Sequence, residues 1–136
     1  MGERAKEKVL SLMGSVAITL DSVAGTEFVA YTTPTGKKMI PVLAVLDEFD
    51  EAVDEAVITA GIGGGDCDEF VGNRTLTNVG AGYADEVILL QPIQSATPPT
   101  SCILDAGETF SFEITTAETT GSAACVGKVW GYERNA

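Results

Sequence analysis

The chain has 136 residues, 45% of them hydrophobic and 21% charged, the composition of one folded domain with its own core, which excludes intrinsic disorder. Eight basic residues against twenty acidic ones leave a formal net charge of -12, a surface that repels phosphate backbones and anionic lipid. No nucleic acid or membrane partner is therefore expected, and no run approaches the ~20 apolar residues of a membrane span.

Val9, Leu12 and Met13 recur at helical spacing beside charged positions, so residues 3–13 read as a short amphipathic helix or arm that Gly14 ends. Arg4, Lys6 and Lys8 ahead of an apolar run resemble a secretory signal. Glu3 and Glu7 dilute the basic part, and Ser11, Gly14, Ser15 and Thr19 dilute the apolar part, so the segment is read as retained. Val16, Ile18 and Leu20 alternate like a strand over 15–20. The organisation expected is an arm over 1–25, with a possible short helix and a first strand, and a β-sandwich over 26–136.

Residues 28–32 and 38–46 flank Pro34-Thr35-Gly36, where proline presets φ and glycine accepts the positive φ of a tight reversal. They read as a β-hairpin. In the second arm Ile40, Val42, Ala44 and Leu46 share one face and Met39, Pro41, Leu43 and Val45 the other, both apolar. Coverage on both sides is expected, by the domain core and by a partner subunit.

Residues 47–55 hold six acids and read as a solvated loop or a single exposed turn, with calcium binding there or at Asp66, Asp68 and Glu69 as the lesser alternative. Strands are expected over 56–60 and 70–77, separated by the glycine-rich loop 61–69, with a further loop over 78–83. Residues 85–93, containing Val87, Ile88, Leu89 and Leu90, are a second strand expected to be covered on both sides. Pro98 and Pro99 mark a connection. Residues 102–104 and 109–115 flank the turn Asp105-Ala106-Gly107-Glu108, with Phe110, Phe112 and Ile114 on one face, and a last strand spans 123–132. About eight strands at ~8 to 12 residue spacing, without long helical patterns, give an all-β antiparallel sandwich.

The sequence carries no catalytic constellation. Histidine is absent, so neither a usual zinc ligand set nor a base for a nucleophilic hydroxyl or thiol is present. Cys67, Cys102 and Cys125 form no Cys-x-x-Cys pair; their odd count leaves at least one free thiol, which buried acts as a small hydrophobe, and a disulfide between two of them stays open. Asp66-Cys67-Asp68 begins like a calcium loop, but Phe70 stands where the third ligand belongs. Residues 61–66 end on Asp66 where a dinucleotide fingerprint needs glycine, and Gly36-Lys37-Lys38 lacks the remaining elements of a phosphate loop. Asn73-Arg74-Thr75 matches a glycosylation sequon, taken as a chance occurrence. No metal, cofactor or catalytic residue is expected.

The segment from Tyr31 to Ile40, the run Leu104-Asp-Ala-Gly-Glu-Thr-Phe-Ser-Phe-Glu-Ile and the terminal Val129-Trp-Gly-Tyr-Glu resemble small jelly-roll structural proteins of tailed bacteriophages, which include capsid decoration (cement) proteins and fibre bases. The likeness spans roughly 28–133 and lies in turn and strand patterns. It implies an antiparallel jelly roll, a homotrimer, a major capsid protein or other virion protein as partner, a place on the capsid exterior, and attachment by an N-terminal arm using Arg4, Lys6 and Lys8. The apolar residues expected at a subunit or capsid interface are Val9, Leu12, Met13, Met39, Leu43, Val45, Ile88 and Leu90. A carbohydrate- or receptor-binding module of a head or tail fibre, built on Phe28, Tyr31, Phe110, Phe112, Trp130 and Tyr132, is the alternative. A hydrolase with two carboxylates in a deep cleft ranks third.

Overall fold

Alternation at period two organises the chain into strands. The computed structural model describes residues 9–77, 79, 87–90, 102–119, 121 and 123–136. The strands are β1 (Ser11–Thr19), β2 (Glu27–Thr32), β3 (Lys37–Asp47), β4 (Val57–Ile62), β5 (Val71–Thr75), β6 (Ile88–Leu90), β7 (Thr109–Thr116) and β8 (Ala124–Asn135). Sheet I has the order β1-β8-β3-β6 and sheet II the order β2-β7-β4-β5, all pairs antiparallel. The partners are nested, β1 with β8, β2 with β7, β3 with β6 and β4 with β5. This nesting is the strand order of a jelly roll.

The core lies between the sheets. Phe110, Phe112 and Ile114 of β7 and Ile58 and Ala60 of β4 face Ile18 of β1, Cys125 and Val129 of β8, and Met39, Ala44 and Leu46 of β3. Phe110 stacks edge-on against both Phe70 (5.5 Å between centroids) and Phe112 (5.6 Å), the geometry that aromatic quadrupoles favour. Room for these rings comes from β8, whose inward positions alternate between side chains and glycine. A Cβ at Gly127 would lie 2.6 Å from Phe112 Cε2 and 2.8 Å from Ile18 Cδ1. One margin of the sandwich is pinched shut where bulged β1 and bulged β2 meet: a Cβ on Gly14 would fall 1.9 Å from the Ala30 carbonyl oxygen. Nearby, the Tyr31 hydroxyl of β2 donates to Glu133 of β8 (2.5 Å), tying sheet II to sheet I.

Four expectations are corrected. The Pro34-Thr35-Gly36 turn exists, with Gly36 at φ 77° and Lys37 N–H donating to the Pro34 carbonyl (3.2 Å), but its two flanking strands do not pair. β2 belongs to sheet II and β3 to sheet I, so the turn carries the chain across the sandwich and no hairpin forms. The amphipathic helix is replaced over its described part: β1 starts at Ser11, and no helix occurs among the described residues. Leu12 and Met13 lie in a strand that β8 templates through eight register pairs, and tertiary pairing overrides the weak helical pattern. The remainder of that pattern, residues 3–8, lies outside the described residues, as do most of the 78–83 loop, the Pro98-Pro99 connection and much of the strand expected over 85–93. Residues 102–104 make an isolated bridge, Leu104 to Met39. Finally, residues 47–55 are anchored: Phe49 and Val53 are buried, and Val53 exchanges backbone hydrogen bonds with Val79 (2.8 and 3.0 Å).

Two consequences are measurable. Gly127→Ala should lower unfolding free energy by about 1–3 kcal/mol, because a methyl is forced into a filled interior, whereas Gly65→Ala, whose Cβ meets nothing, should change a denaturant melt little. A chain starting after Leu20 should fail to fold by circular dichroism, since β1 and the buried Ile18 and Leu20 go with the deleted segment.

Candidate functional site

The outward face of sheet I is set by register. Directly opposed residues share a face, so the row Leu12, Trp130, Leu43 runs across β1, β8 and β3. The next row is Ser15, Lys128, Val45, Leu89, and Tyr132 lies opposite Ile40 on the other flank. Leu12 and Leu89 are each 51% exposed. The ammonium in the middle of this apolar field is compensated: Lys128 Nζ lies 2.8 Å from Asp47 Oδ2 and 3.3 Å from Glu48 Oε2, and these carboxylates raise its pKa.

The outward face of sheet II is of another kind. Loop 61–69 folds back over it, and its glycines permit the approach: a Cβ on Gly63 would lie 2.4 Å from Thr109 Oγ1 and 2.7 Å from Ser111 Oγ. Gly63 N–H donates to the Thr109 carbonyl (3.0 Å), Gly64 N–H to Glu27 (2.9 Å), and Ile62 N–H to Glu69 (2.9 Å). Cys67 sits beneath, at φ 53°, its thiol donating to the Ser111 carbonyl (3.1 Å). Glu27 and Glu113 oppose each other across β2 and β7, an unfavourable like-charge pair. Burial, and then Glu27, Asp66 and Asp68, push the Glu113 carboxyl above its usual range. Among the described residues no three acidic or thiol groups converge closely enough to hold a metal ion.

Glu118 is 2% exposed, and its Oε2 accepts the backbone N–H groups of Asp54 (2.9 Å), Glu55 (3.0 Å) and Ala56 (3.2 Å), which fixes the turn leading into β4. The three cysteines are free. Burial first, then carboxylates nearby, pushes Cys102 and Cys125 up to about 12 and Cys67 higher still, so at neutral pH all three are protonated thiols and poor nucleophiles.

The eight residues expected at an interface are dispersed. Val9, Leu12 and Leu43 are exposed or half-buried on sheet I and its approach, whereas Met13 and Ile88 pack against the core. Met39 and Leu90, 0% and 1% exposed, are core residues, and Val45 is 4% exposed, so none of these three is available to a partner. For Met39 the reason is the bulge of β3 between Pro41 and Leu43, while Leu90 shares the inward face of its partner Ala44 and Val45 keeps the outward face opposite Lys128. The bulge reverses the alternation, so that Met39 and Pro41 point inward before it and Ala44 and Leu46 after it. Sequence reasoning did not place Leu89, Trp130 and Lys128 together. The alternation of Val126, Lys128, Trp130 and Tyr132 was the legible part of that signal. Of the aromatics considered for sugar stacking, Phe110 and Phe112 are fully buried.

Two substitutions separate these roles. Glu118→Ala should cost about 2–3 kcal/mol by leaving buried donors unmet, and Glu118→Gln less, because an amide oxygen still accepts, both read by denaturant titration. Since folding raises the Glu113 pKa, its contribution is favourable at pH below its ordinary value and is lost as pH rises through the raised folded value. Glu113→Gln should therefore raise the melting temperature at neutral pH, give no gain in acid, and show a smaller gain in high salt.

No protein-family model and no curated protein matches this sequence. The fold does have solved counterparts. A chain in the capsid of Ralstonia phage GP4 superposes with a TM-score of 0.61 at 16% identity, over 96% of this chain and 88% of that one. A chain of the capsid asymmetric unit of cyanophage Pam1 gives a TM-score of 0.55 at 15% identity, over 91% of this chain and 84% of that one. At such identities the likeness is one of fold, and it extends over nearly the whole length of both partners.

Proposed function

We propose that this chain is a non-enzymatic structural protein of a bacteriophage virion, a decoration (cement) protein that sits on the capsid exterior as a homotrimer and reinforces the shell of major capsid protein. The observation that carries the reading is the end-to-end likeness to a phage capsid chain, 96% of this one and 88% of that one. A stabilising role needs surface complementarity and no bond chemistry. Each subunit added to a shell buries apolar area worth ~25 cal/mol per Å², and an interface of about 800 Å² per partner suffices for specific attachment. Strong negative charge keeps unassembled copies soluble.

A second reading, a receptor- or glycan-binding module of a fibre, draws on Trp130 and Tyr132, which are half-buried on one outward face. The two are separable. An antiserum against the purified protein should label intact particles of the genome that encodes it evenly over the shell, and particles assembled without the protein should form but open at lower temperature. Label confined to fibre tips, with quenching of Trp130 fluorescence on a glycan panel, would move the assignment to the second reading. Particles carrying no label at all would remove both.

A further inference from the structure

Exposed apolar side chains are distributed very unevenly. Of the eight large ones among the described residues, only Val23 and Val29 lie away from sheet I. Leu12, Val42, Val87 and Leu89 stand on its strands or immediately beside them, and Val9 and Leu10 lead into β1. Sheet II, in contrast, is covered by its own 61–69 loop.

Charge is divided the same way. Four of the five described basic residues, Lys37, Lys38, Lys128 and Arg134, belong to β3 and β8 of sheet I. Lys128 is matched by Asp47 and Glu48, and Lys38 by Asp105 (3.3 Å). The 61–69 loop and sheet II beneath it bring together Glu27, Asp66, Asp68, Glu69 and Glu113. For a chain of net charge -12, two copies meeting at sheet II would add repulsion. A contact between copies through sheet I instead buries apolar rows around Lys128, whose charge is already compensated.

Building on the assembling structural protein proposed above, we propose that the outward face of sheet I is the surface through which this chain binds a second copy of itself, with Leu12, Leu43, Leu89 and Trp130 at the centre of the contact. The size is adequate. Three strands of 9, 11 and 12 residues, about 4.8 Å apart and rising about 3.3 Å per residue, present a flat projection on the order of 400 Å². Side-chain relief, the β6 edge and the adjoining Val9 and Leu10 bring its accessible area toward the roughly 800 Å² per partner of a standard interface. Lys128, held between two carboxylates, enters the contact without an unpaired charge, and exposed Arg134 at the rim can reach a carboxylate of the other copy.

Trp130 is the single tryptophan of the chain, so its emission reports this face alone. Light scattering on the full chain should give a multiple of 14.1 kDa. Across a dilution series the Trp130 emission maximum should shift to the red as the mass falls, and added salt should strengthen association by screening self-repulsion. Leu89→Glu and, independently, Leu12→Glu should give monomers with unchanged circular dichroism and a red-shifted Trp130. A monomer at all concentrations would overturn the proposal, as would an oligomer whose Trp130 emission does not follow its mass. Should either variant misfold, the wild-type dilution series decides alone. Labelling of virions by antiserum is independent of these outcomes, so a failure here leaves the virion assignment standing, and a self-associating chain absent from virions fails that assignment alone.

Discussion

The sandwich depends on how closely two sheets approach across the β7 and β8 strands. Phe112 of β7 lies over Gly127 of β8 with no space for even one methyl, and Ile18 closes on the same glycine from β1. A central strand that alternates glycine with Cys125 and Val129 is what lets sheet II send full phenylalanine rings into the gap. Packing at interior density then fixes the separation and register of both sheets, because a filled interior tolerates neither added nor lost volume at that point. The nested strand order follows the same centre. β8 and β3 are the inner strands of sheet I and β7 and β4 those of sheet II, each pairing on both sides.

That frame leaves its two outer faces with opposite fates. Part of sheet II is roofed by a loop whose glycines let backbone N–H groups reach Glu27 and Glu69, and burial, then the carboxylates gathered there, hold Glu113 above its usual range. Sheet I keeps an apolar field with its one central ammonium neutralised. Buried Glu118 is committed to holding a turn, and the thiols are protonated at neutral pH. A molecule so arranged has its specificity in surfaces, which agrees with the role proposed for it among virion proteins.

Much of the architecture was legible from pattern. The alternation of Phe110, Phe112 and Ile114, and of Ile18 and Leu20, correctly gave strands with inward apolar faces, because strand side chains alternate strictly and one face must leave water. The turn at Pro34 and Gly36 was also correctly located, since proline and glycine impose φ locally. What the turn connects was not local. Whether β3 folds back on β2 or crosses to β8 depends on which partner buries more surface, and β8 offered ten register pairs over the length of β3. Met39 points inward for a related reason: one bulge at Val42 reverses the parity that grouped it with Leu43 and Val45, which face outward.

The amino-acid sequence therefore determined the class of the fold, its approximate strand count, its acidic solubility and the absence of histidine chemistry. Each of these follows from composition or from a short-range period. The tertiary structure alone decided the strand order, the inward direction of Met39 and Leu90, the burial of Glu118 and the meeting of Leu12, Trp130, Leu43 and Leu89 on one face. These residues are far apart in the chain, and their juxtaposition is set by register, bulges and the fit of Phe112 on Gly127, which no single segment encodes.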